Sequence, residues 1–204
     1  MKLVLASNNA GKLAELQTLF APLGLALVCQ GNLGIPEAEE PHLTFLENAL
    51  AKARHAAHLS GAAAIADDSG LCVDALGGAP GVRSARYAQD HGQAKGDAAN
   101  NRVLLDQLSA FPAASQRGAR FVCALVAVRS ADDPQPLVAM GRWAGVIGSA
   151  PRGDAGFGYD PLLYIPGLER TVAEMNPAEK NERSHRGLAS CEMLRQMREV
   201  WGLG

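Results

Sequence analysis

The chain has 204 residues, of which 48% are hydrophobic, and a formal net charge of -2 at pH 7. This hydrophobic content supports a substantial core, which argues against extensive disorder. We expect a single domain over residues 1–204, or at most two small lobes that share a sheet. A surface that binds duplex nucleic acid needs an excess of Lys and Arg, so the charge balance argues against a nucleic-acid partner. A small charged substrate remains compatible.

The cysteines are isolated, and no C-x-x-C pair indicates zinc, so we expect reduced thiols that pack as small hydrophobes. They are Cys29, Cys72, Cys123 and Cys191. The apolar run at residues 3–6 is too short for a secretory signal, and no later segment reaches the length of a membrane span. We therefore expect a cytoplasmic protein with no membrane partner.

The first half of the chain alternates strands and helices. Residues 3–6 predict a buried strand, residues 12–20 a helix that Pro22 and Gly24 end, and residues 25–30 the next strand. Thr44 and Glu47 form a capping box that opens an alanine-rich helix ending near Gly61. Residues 62–66 then predict a buried strand that ends at two adjacent aspartates.

In the second half, Asp97 predicts the cap of a helix that runs to about Leu108. Residues 119–129 and 137–147 predict an antiparallel hairpin joined by a turn at Asp132-Asp133-Pro134. Ser184 predicts the cap of a final helix with a buried face of Leu188, Cys191, Leu194 and Trp201. These elements indicate an α/β or α+β domain built on a mixed sheet flanked by helices.

Three separated segments have the composition of a nucleotide site. The first, Ser7-Asn8-Asn9-Ala10-Gly11-Lys12, lies between a strand and a helix, where free N–H groups and the helix dipole favour an anion such as a triphosphate. It is not a Walker A loop, because the first glycine is missing and Leu13 replaces the hydroxyl residue. An ordinary N-cap and turn is the alternative interpretation.

The second segment, Asp67-Asp68-Ser69-Gly70, offers carboxylates to a cation. Adjacent side chains of a strand point to opposite faces, so only one aspartate faces a ligand unless the strand has already ended. Mg²⁺ binds one or two carboxylates together with water and phosphate oxygens, and the acidic loop of Glu37, Glu39 and Glu40 is a second source. A solvated polar turn is the alternative.

The third segment combines Phe157-Gly158-Tyr159-Asp160 with Lys180 and Ser184-His185-Arg186. A glycine-rich stretch precedes the aromatic residues and could hold a ring open for a flat base to stack on. Cations are poorly placed at a helix start, because the positive end of the dipole lies there, so they hint at an anionic or carbonyl-bearing ligand. A core aromatic beside a turn, and an ordinary histidine, are the alternatives.

Taken in order, these segments and their neighbours resemble the inosine/xanthosine triphosphate pyrophosphatases, which hydrolyse deaminated purine nucleoside triphosphates to the monophosphate and pyrophosphate. The resemblance extends from residue 3 to about residue 188. Its blocks are Ser7 to Lys12, Glu39-Glu40 with Thr44 to Ala49, Ala66 to Leu71, Gly77 to Gly81 with Ser84 to Tyr87, Gly156 to Pro161, and Ser184 to Gly187.

The resemblance implies a homodimer built on an elongated mixed sheet, with two lobes around a central nucleotide-binding cleft. It also implies Mg²⁺ held by Asp68 and Glu39, with Asp68 as the catalytic proton acceptor. Lys12 would act with Asp68 in catalysis by neutralising the departing charge. The residues implied to bind the nucleoside triphosphate are Ser7, Asn8, Asn9, Ala10, Gly11, Lys12, Ser69, Phe157, Gly158, Tyr159, Asp160, Lys180, His185 and Arg186.

The chain departs from the family pattern in two places. Ser7 stands where threonine is frequent, which keeps the hydroxyl, and Pro41-His42 follow Glu40 where Thr-Gly is familiar. The second departure affects the geometry of the acidic loop and hence the role of Glu39 as a metal ligand.

Base selectivity follows from hydrogen-bond complementarity. Hypoxanthine and xanthine present a 6-oxo acceptor that a fixed guanidinium such as Arg186 would accept, whereas adenine presents a donor. Two other functions remain open at this point. One is a related pyrimidine-directed nucleotide pyrophosphatase, and the other is a module that binds nucleotides without hydrolysis.

Overall fold

The computed structural model describes residues 2–203. Strands β1 to β7 are Lys2–Leu5, Ala26–Cys29, Ala64–Val73, Gly118–Val128, Leu137–Ile147, Leu163–Ile165 and Arg170–Thr171. Helices α1 to α6 are Ala10–Phe20, Phe45–Ser60, Tyr87–Asp90, Asp97–Gln107, Pro177–Arg183 and His185–Trp201. Short 3-10 turns connect many of them.

The strands form a seven-stranded sheet in the order β2-β1-β3-β4-β5-β6-β7. Strand β1 pairs in parallel with both β2 and β3, and Leu5 aligns with Cys29 on one side and Ile65 on the other. Strand β6 pairs antiparallel with β5 and β7. The sheet is therefore mixed, which confirms the α/β class expected from the sequence.

The strand that carries the two aspartates is longer than predicted. Instead of ending before Asp67, β3 continues through both aspartates and is ten residues long. The prediction of a strand end was wrong because it took two adjacent carboxylates as a turn signal, whereas both are buried here. Burial of charged groups in a strand requires partners for each of them.

The described chain divides into two compact units. The first runs up to Asp68 and adds Cys123–Gly141 and the residues from His185 onward. Side chains of β1 alternate between its two hydrophobic clusters, because successive residues of a strand point to opposite faces. Leu3 and Leu5 pack with residues of α1 and α6, whereas Val4 packs with the alanines of α2.

The buried face of helix α6 agrees only in part with the prediction, since Leu194 and Trp201 pack against the core of the first unit but the other two residues do not. Ala189, Met193 and Met197, spaced four residues apart, lie in the core of the first unit. Leu188 is 47% exposed and Cys191 is exposed, so assigning them to the buried face was wrong. The sequence pattern favoured the large aliphatic residue, but the small and flexible side chains fit the close packing of this helix.

The second unit comprises Ser69–Val122 and Arg142–Ser184. Its main hydrophobic cluster joins strand residues such as Leu71 and Phe121 with Leu104 of α4 and with Tyr159. Helix α4 begins at Asp97 with Gly96 as its N-cap. Asp97 is thus the first residue of the helix rather than its cap, and its carboxylate is directed elsewhere, as described below.

The ends of α2 agree with the sequence prediction. The Thr44 side chain accepts a hydrogen bond from the Glu47 N–H at 3.2 Å, and the two side chains contact each other at 2.6 Å. Gly61 ends the helix with φ of 63°, a left-handed conformation that glycine adopts without strain. Local side-chain chemistry thus sets this helix.

All four cysteines are free, as predicted. Cys123 is buried, but Cys191 is exposed, so not every thiol packs as a small hydrophobe. Within residues 2–203, none of the helices combines the length and apolar character needed to span a bilayer.

Candidate functional site

The Ser7 to Lys12 segment forms the turn between β1 and α1. The Asn9 side chain caps the helix by accepting from the Lys12 N–H at 3.0 Å, and the Ser7 hydroxyl accepts from the Asn9 N–H at 3.2 Å. Asn8 to Ala10 are exposed. The N-cap interpretation therefore describes this segment, with Asn9 as the cap.

Asn8 uses its side chain within the protein. Its Oδ1 accepts from the Gly31 N–H at 3.1 Å, and its Nδ2 donates to Glu37 at 3.1 Å. Asn8 therefore ties the β1–α1 turn to the acidic loop that precedes α2.

A buried ion-pair chain begins at Lys12. Its Nζ lies 2.6 Å from Oδ1 of Asp67. The other carboxylate oxygen of Asp67 accepts from Nε of Arg186 at 2.6 Å and from the Cys123 thiol at 3.3 Å. Arg186 also forms an ion pair with Glu15 of α1. Residues from four elements are thus linked through one aspartate.

Asp67 is charged despite its burial. It is 1% exposed, and burial alone would raise its pKa, but the charges of Arg186 and Lys12 outweigh that effect and hold the pKa well below its ordinary value. Burial would likewise lower the pKa of Arg186, which its pairing with Asp67 raises instead. This carboxylate has the environment of a structural anion, with both oxygens engaged by donors.

Asp68 has different partners. Its Oδ1 accepts from Nζ of Lys52 at 2.8 Å, and the same ammonium group contacts Glu40 at 2.8 Å and the Asp67 carbonyl at 3.0 Å. The Oδ2 atom of Asp68 is buried and has no hydrogen-bond partner. Burial raises the pKa of Asp68, and the Lys52 charge only partly offsets the rise.

The two aspartates therefore differ as adjacent strand residues should. Asp67 and Asp68 point to different sets of partners, which agrees with the expectation that only one of them faces a ligand. Asp68 is the candidate, because its buried Oδ2 has no hydrogen-bond partner and both oxygens of Asp67 are engaged by donors.

The residues around Asp68 fit a hard cation only in part. Within residues 2–203, no three His, Cys, Asp or Glu side chains are arranged to hold a metal ion. The unpaired Oδ2 and the nearby Glu40 nevertheless match the demand of Mg²⁺ for one or two carboxylates, with the remaining ligands from water and phosphate. Glu39, the residue implied by resemblance, is exposed, while its neighbour Glu40 reaches Lys52.

In the second unit, Asp160 organises the aromatic segment. Its Oδ2 accepts from the Phe157 N–H at 2.9 Å and from Nζ of Lys180 at 2.7 Å. The same Nζ lies 4.6 Å from the centroid of the Phe157 ring, within the range of a cation–π interaction. One carboxylate thus fixes both the aromatic ring and the buried lysine beside it.

Two residues of this segment differ in exposure. The Phe157 ring is partly exposed, as a stacking surface requires, but Tyr159 is 4% exposed and lies in the hydrophobic cluster. Its hydroxyl donates to the Ser84 carbonyl at 2.9 Å. The core-aromatic alternative therefore describes the Tyr159 side chain.

The remaining predicted residues lie at element boundaries. Ser69 is partly exposed in β3, next to Asp68. His185 and Arg186 begin α6 and are buried, at 5% and 2% exposure. Ser184 lies between α5 and α6 and ends α5, where its N–H donates to the Lys180 carbonyl at 2.8 Å.

Sequence reasoning missed three residues that contact the predicted aspartates and arginine: Lys52, Glu15 and Cys123. Lys52 carried a detectable signal, because it follows Ala49 by three residues and precedes Ala53 and Ala56 on the apolar stripe of α2. A lysine on a buried stripe demands a carboxylate partner. Glu15 and Cys123 carried no such signal.

Comparison with known proteins gives one family. The Ham1 family model matches residues 3–196. The chain is 60% identical to the dITP/XTP pyrophosphatase of Leptothrix cholodnii, over 100% of both chains. It is 62% identical to the protein of the same name from Methylibium petroleiphilum, over 98% of this chain and 99% of the relative.

Solved structures agree. A HAM1 protein from Coxiella burnetii has a TM-score of 0.89 and 44% identity, covering 98% of this chain and 100% of its own. The nucleoside-triphosphatase or dITP/XTP pyrophosphatase of Mycobacterium abscessus has a TM-score of 0.73 and 45% identity, covering 95% and 99%. With the family model and full-length relatives in agreement, the chain belongs to the Ham1 family.

Proposed function

We propose that this protein hydrolyses the deaminated purine nucleoside triphosphates dITP, ITP and XTP to the monophosphate and pyrophosphate, and so removes these nucleotides from the pool used for DNA and RNA synthesis. Its full-length relatives carry the name dITP/XTP pyrophosphatase. The observation that carries the proposal is the buried Asp68 carboxylate, with Oδ1 held by Lys52 and Oδ2 without a hydrogen-bond partner.

We assign the triphosphate to the β1–α1 turn and two lysines. First-turn N–H groups of α1 and the Ser7 hydroxyl suit phosphate oxygens. Lys12 and Lys52 place their Nζ atoms 3.4 and 3.0 Å from the same atom, the Asp67 carbonyl oxygen. Two ammonium groups that converge on one point are suited to offset the charge of a polyphosphate.

We assign general-base chemistry to Asp68. Water attacks the α-phosphorus, the new bond joins the water oxygen to phosphorus, and the bond to the bridging oxygen of the β-phosphate breaks. The proton of the water passes to Asp68, and pyrophosphate leaves with its charge offset by Lys12. A fixed carboxylate with one oxygen free of hydrogen-bond partners is suited to accept this proton.

Mg²⁺ is the cofactor we propose, with Asp68 and a glutamate of the acidic loop as protein ligands. Glu39 is the residue implied by resemblance, and Glu40 is the one that shares Lys52 with Asp68. When bound, the ion would polarise the phosphate oxygens and neutralise part of their charge.

We assign base recognition to Phe157 to Asp160, Lys180, His185 and Arg186. Arg186 is held by Asp67 and Glu15, so its guanidinium is fixed in orientation. A fixed donor group accepts a 6-oxo purine and rejects adenine, because two donors would otherwise face each other.

A substrate panel tests the proposed function. Pyrophosphate release is measured for dITP, ITP, XTP, dATP, dGTP, dTTP and UTP, with Mg²⁺ and with a chelator, and Asp68→Asn serves as the inactive control. We expect kcat/KM for dITP, ITP and XTP to exceed that for dATP by about 10²-fold. Preference for dTTP or UTP would indicate a pyrimidine-directed enzyme, and binding without pyrophosphate release would indicate a sensing module.

Homodimer formation is a further part of the proposal, taken from the family resemblance. Light scattering of the purified protein measures it directly, and a monomer mass at micromolar concentration would contradict it.

A further inference from the structure

Helix α4 holds the backbone of one residue of the aromatic segment, Gly158, through both its N–H and its carbonyl group. The carboxylate of Asp97 accepts from the Gly158 N–H at 2.7 Å. The side-chain amide of Asn101, one helical turn later, donates to the Gly158 carbonyl at 3.1 Å. Residues four apart share a helix face, so the two side chains form a matched acceptor and donor for a single residue.

The held residue adjoins the aromatic ring assigned to the base. Gly158 directly follows Phe157 and has φ of 64°, in the left-handed region. Asp160 and Lys180 hold Phe157 through other atoms. The α4 side chains are thus a second and independent constraint on the position of the ring.

The two hydrogen bonds lie beside a pocket. Helix α4 and the segment that carries Phe157 both line this pocket of about 520 Å³, and Asp97, Asn101 and Leu105 line it from the helix. On the buried side of the helix, Leu104 packs with Tyr159 in the hydrophobic cluster of the second unit. Beside the pocket, the two Gly158 hydrogen bonds add polar contacts between the helix and the segment.

Asn101 also leaves one buried polar atom unpaired, which costs folding free energy. It is 8% exposed, and its Oδ1 atom is buried without a hydrogen-bond partner. The amide cannot rotate to relieve this, because the Gly158 carbonyl would then lose its donor. Unpaired buried polar atoms in native proteins are uncommon and concentrate where function requires them.

We propose that Asp97 and Asn101 are positioning residues for base recognition, which act by fixing the backbone of Gly158 and hence the position of the Phe157 ring. The proposal rests on the assignment of Phe157 to the base under the proposed function. Neither residue needs to touch the nucleotide. Loss of either hydrogen bond leaves the ring held by Asp160 and Lys180 alone, so base binding weakens while the phosphate chemistry of the first unit is unchanged.

Near-isosteric variants test the role. Asn101→Asp keeps the size but replaces the donor with a carboxylate that faces the Gly158 carbonyl, and Asp97→Ala removes the acceptor. Asp97→Asn keeps an acceptor oxygen and is the conservative rescue. Asp106→Ala, on an exposed position of the same helix, is the matched control.

For Asn101→Asp and Asp97→Ala we expect KM for dITP to rise about tenfold, with kcat within about twofold of wild type, since a lost ground-state contact raises KM alone. The ratio of kcat/KM for dITP to kcat/KM for dATP should fall as well. Asp97→Asn and Asp106→Ala should match wild type. Wild-type KM and base selectivity in both disruptive variants would overturn the proposal.

Hydrogen exchange separates failure of this inference from failure of the proposed function. If wild type releases no pyrophosphate from any triphosphate, the proposed function is wrong. The hydrogen bonds from Asp97 and Asn101 to Gly158 are then tested by amide hydrogen exchange of the peptide fragment that contains Gly158. Exchange should be faster in Asn101→Asp and Asp97→Ala than in Asp106→Ala. Equal exchange rates in all three variants would show that these hydrogen bonds do not position the segment. A variant that fails to fold is replaced by the other disruptive one.

Discussion

The Nζ atom of Lys12 lies 2.6 Å from Oδ1 of Asp67, a residue 55 positions further along the chain. Asp67 in turn pairs with Arg186, a further 119 positions away. The lysine assigned to the phosphates and the arginine assigned to the base therefore share one buried anion. Asp67 therefore holds both cations in place, and the reaction proposed for Asp68 does not use it.

Replacing Asp67 by Asn should lower the stability of the fold more than it weakens ligand binding. Arg186 and Lys12 would keep their charges in a buried site with a neutral partner, so we expect the free energy of unfolding to fall by about 3 kcal/mol. Urea denaturation measures it. Glu199→Gln, which breaks an exposed pair with Arg195, should leave the midpoint unchanged. Equal midpoints for Asp67→Asn and wild type would show that the buried anion is dispensable.

Replacing Asp68 by Asn should impair turnover more than it lowers stability. The amide fills the same space, but it is a poor proton acceptor, so kcat should fall by about 10³-fold. The unfolding midpoint should fall by less than in Asp67→Asn, because only one cation, Lys52, loses this partner and it keeps Glu40. Pyrophosphate release under saturating dITP is the measurement. Near-native turnover that still depends on Mg²⁺ would remove Asp68 from the catalytic role.

Lys52→Met should also impair turnover. Burial would lower the pKa of Lys52, but Asp68 and Glu40 raise it, so the side chain is a buried cation. Without it, Asp68 loses its anchor and the phosphates lose a positive charge, and we expect kcat to fall by about 10²-fold. Arg54→Gln, at an exposed position of the same helix, is the control. A similar loss in both variants would point to a general effect on α2.

Gly141 should tolerate no side chain. A Cβ there would overlap the His185 carbonyl and lie 2.8 Å from the Ala189 N atom, so α6 would have to shift at its first turn. We expect Gly141→Ala to lower the free energy of unfolding by about 2 kcal/mol or more. Gly167→Ala, where a Cβ meets open space, should change it by less than about 0.5 kcal/mol. Chemical denaturation of both variants shows whether the first turn of α6 packs closely against Gly141.

Asp133 should contribute stability that depends on pH. Hydrogen bonds from the Arg129 side chain are the largest influence on its pKa and, despite burial, hold it below the ordinary value. A lowered folded pKa means that the contribution is complete above about pH 4, the unfolded value, and is lost as pH falls through the folded value. Denaturation midpoints of wild type and Asp133→Asn should therefore differ at pH 7 and converge in acid. A constant difference at all pH values would exclude the carboxylate charge as the cause.

Local features were predictable where local chemistry decides them. The capping box at Thr44 and Glu47 and the glycine end at Gly61 place α2 correctly. Helix α1 began two residues before its prediction, because Asn9 provides the cap and Ala10 and Gly11 continue the helix. The adjacent aspartates misled the prediction of β3, since partners from distant segments allow both to be buried within a strand.

The candidate site was predictable by residue type but not by role. Sequence reasoning found Lys12, Asp68 and Arg186 but missed Lys52. It expected Arg186 to read the base, and the structure adds that two carboxylates anchor it. It also took Asp97 as a helix cap, whereas its carboxylate accepts from Gly158.

By itself, the sequence determined the class of fold, the starts of several helices and the motifs that identify the family, because periodicity, capping and turn chemistry act over a few residues. The tertiary structure alone decided which aspartate is neutralised by buried cations and which keeps an unpaired oxygen. The reason is physical: the pKa and the partners of a buried carboxylate depend on charges brought together by packing, from positions that no local pattern connects.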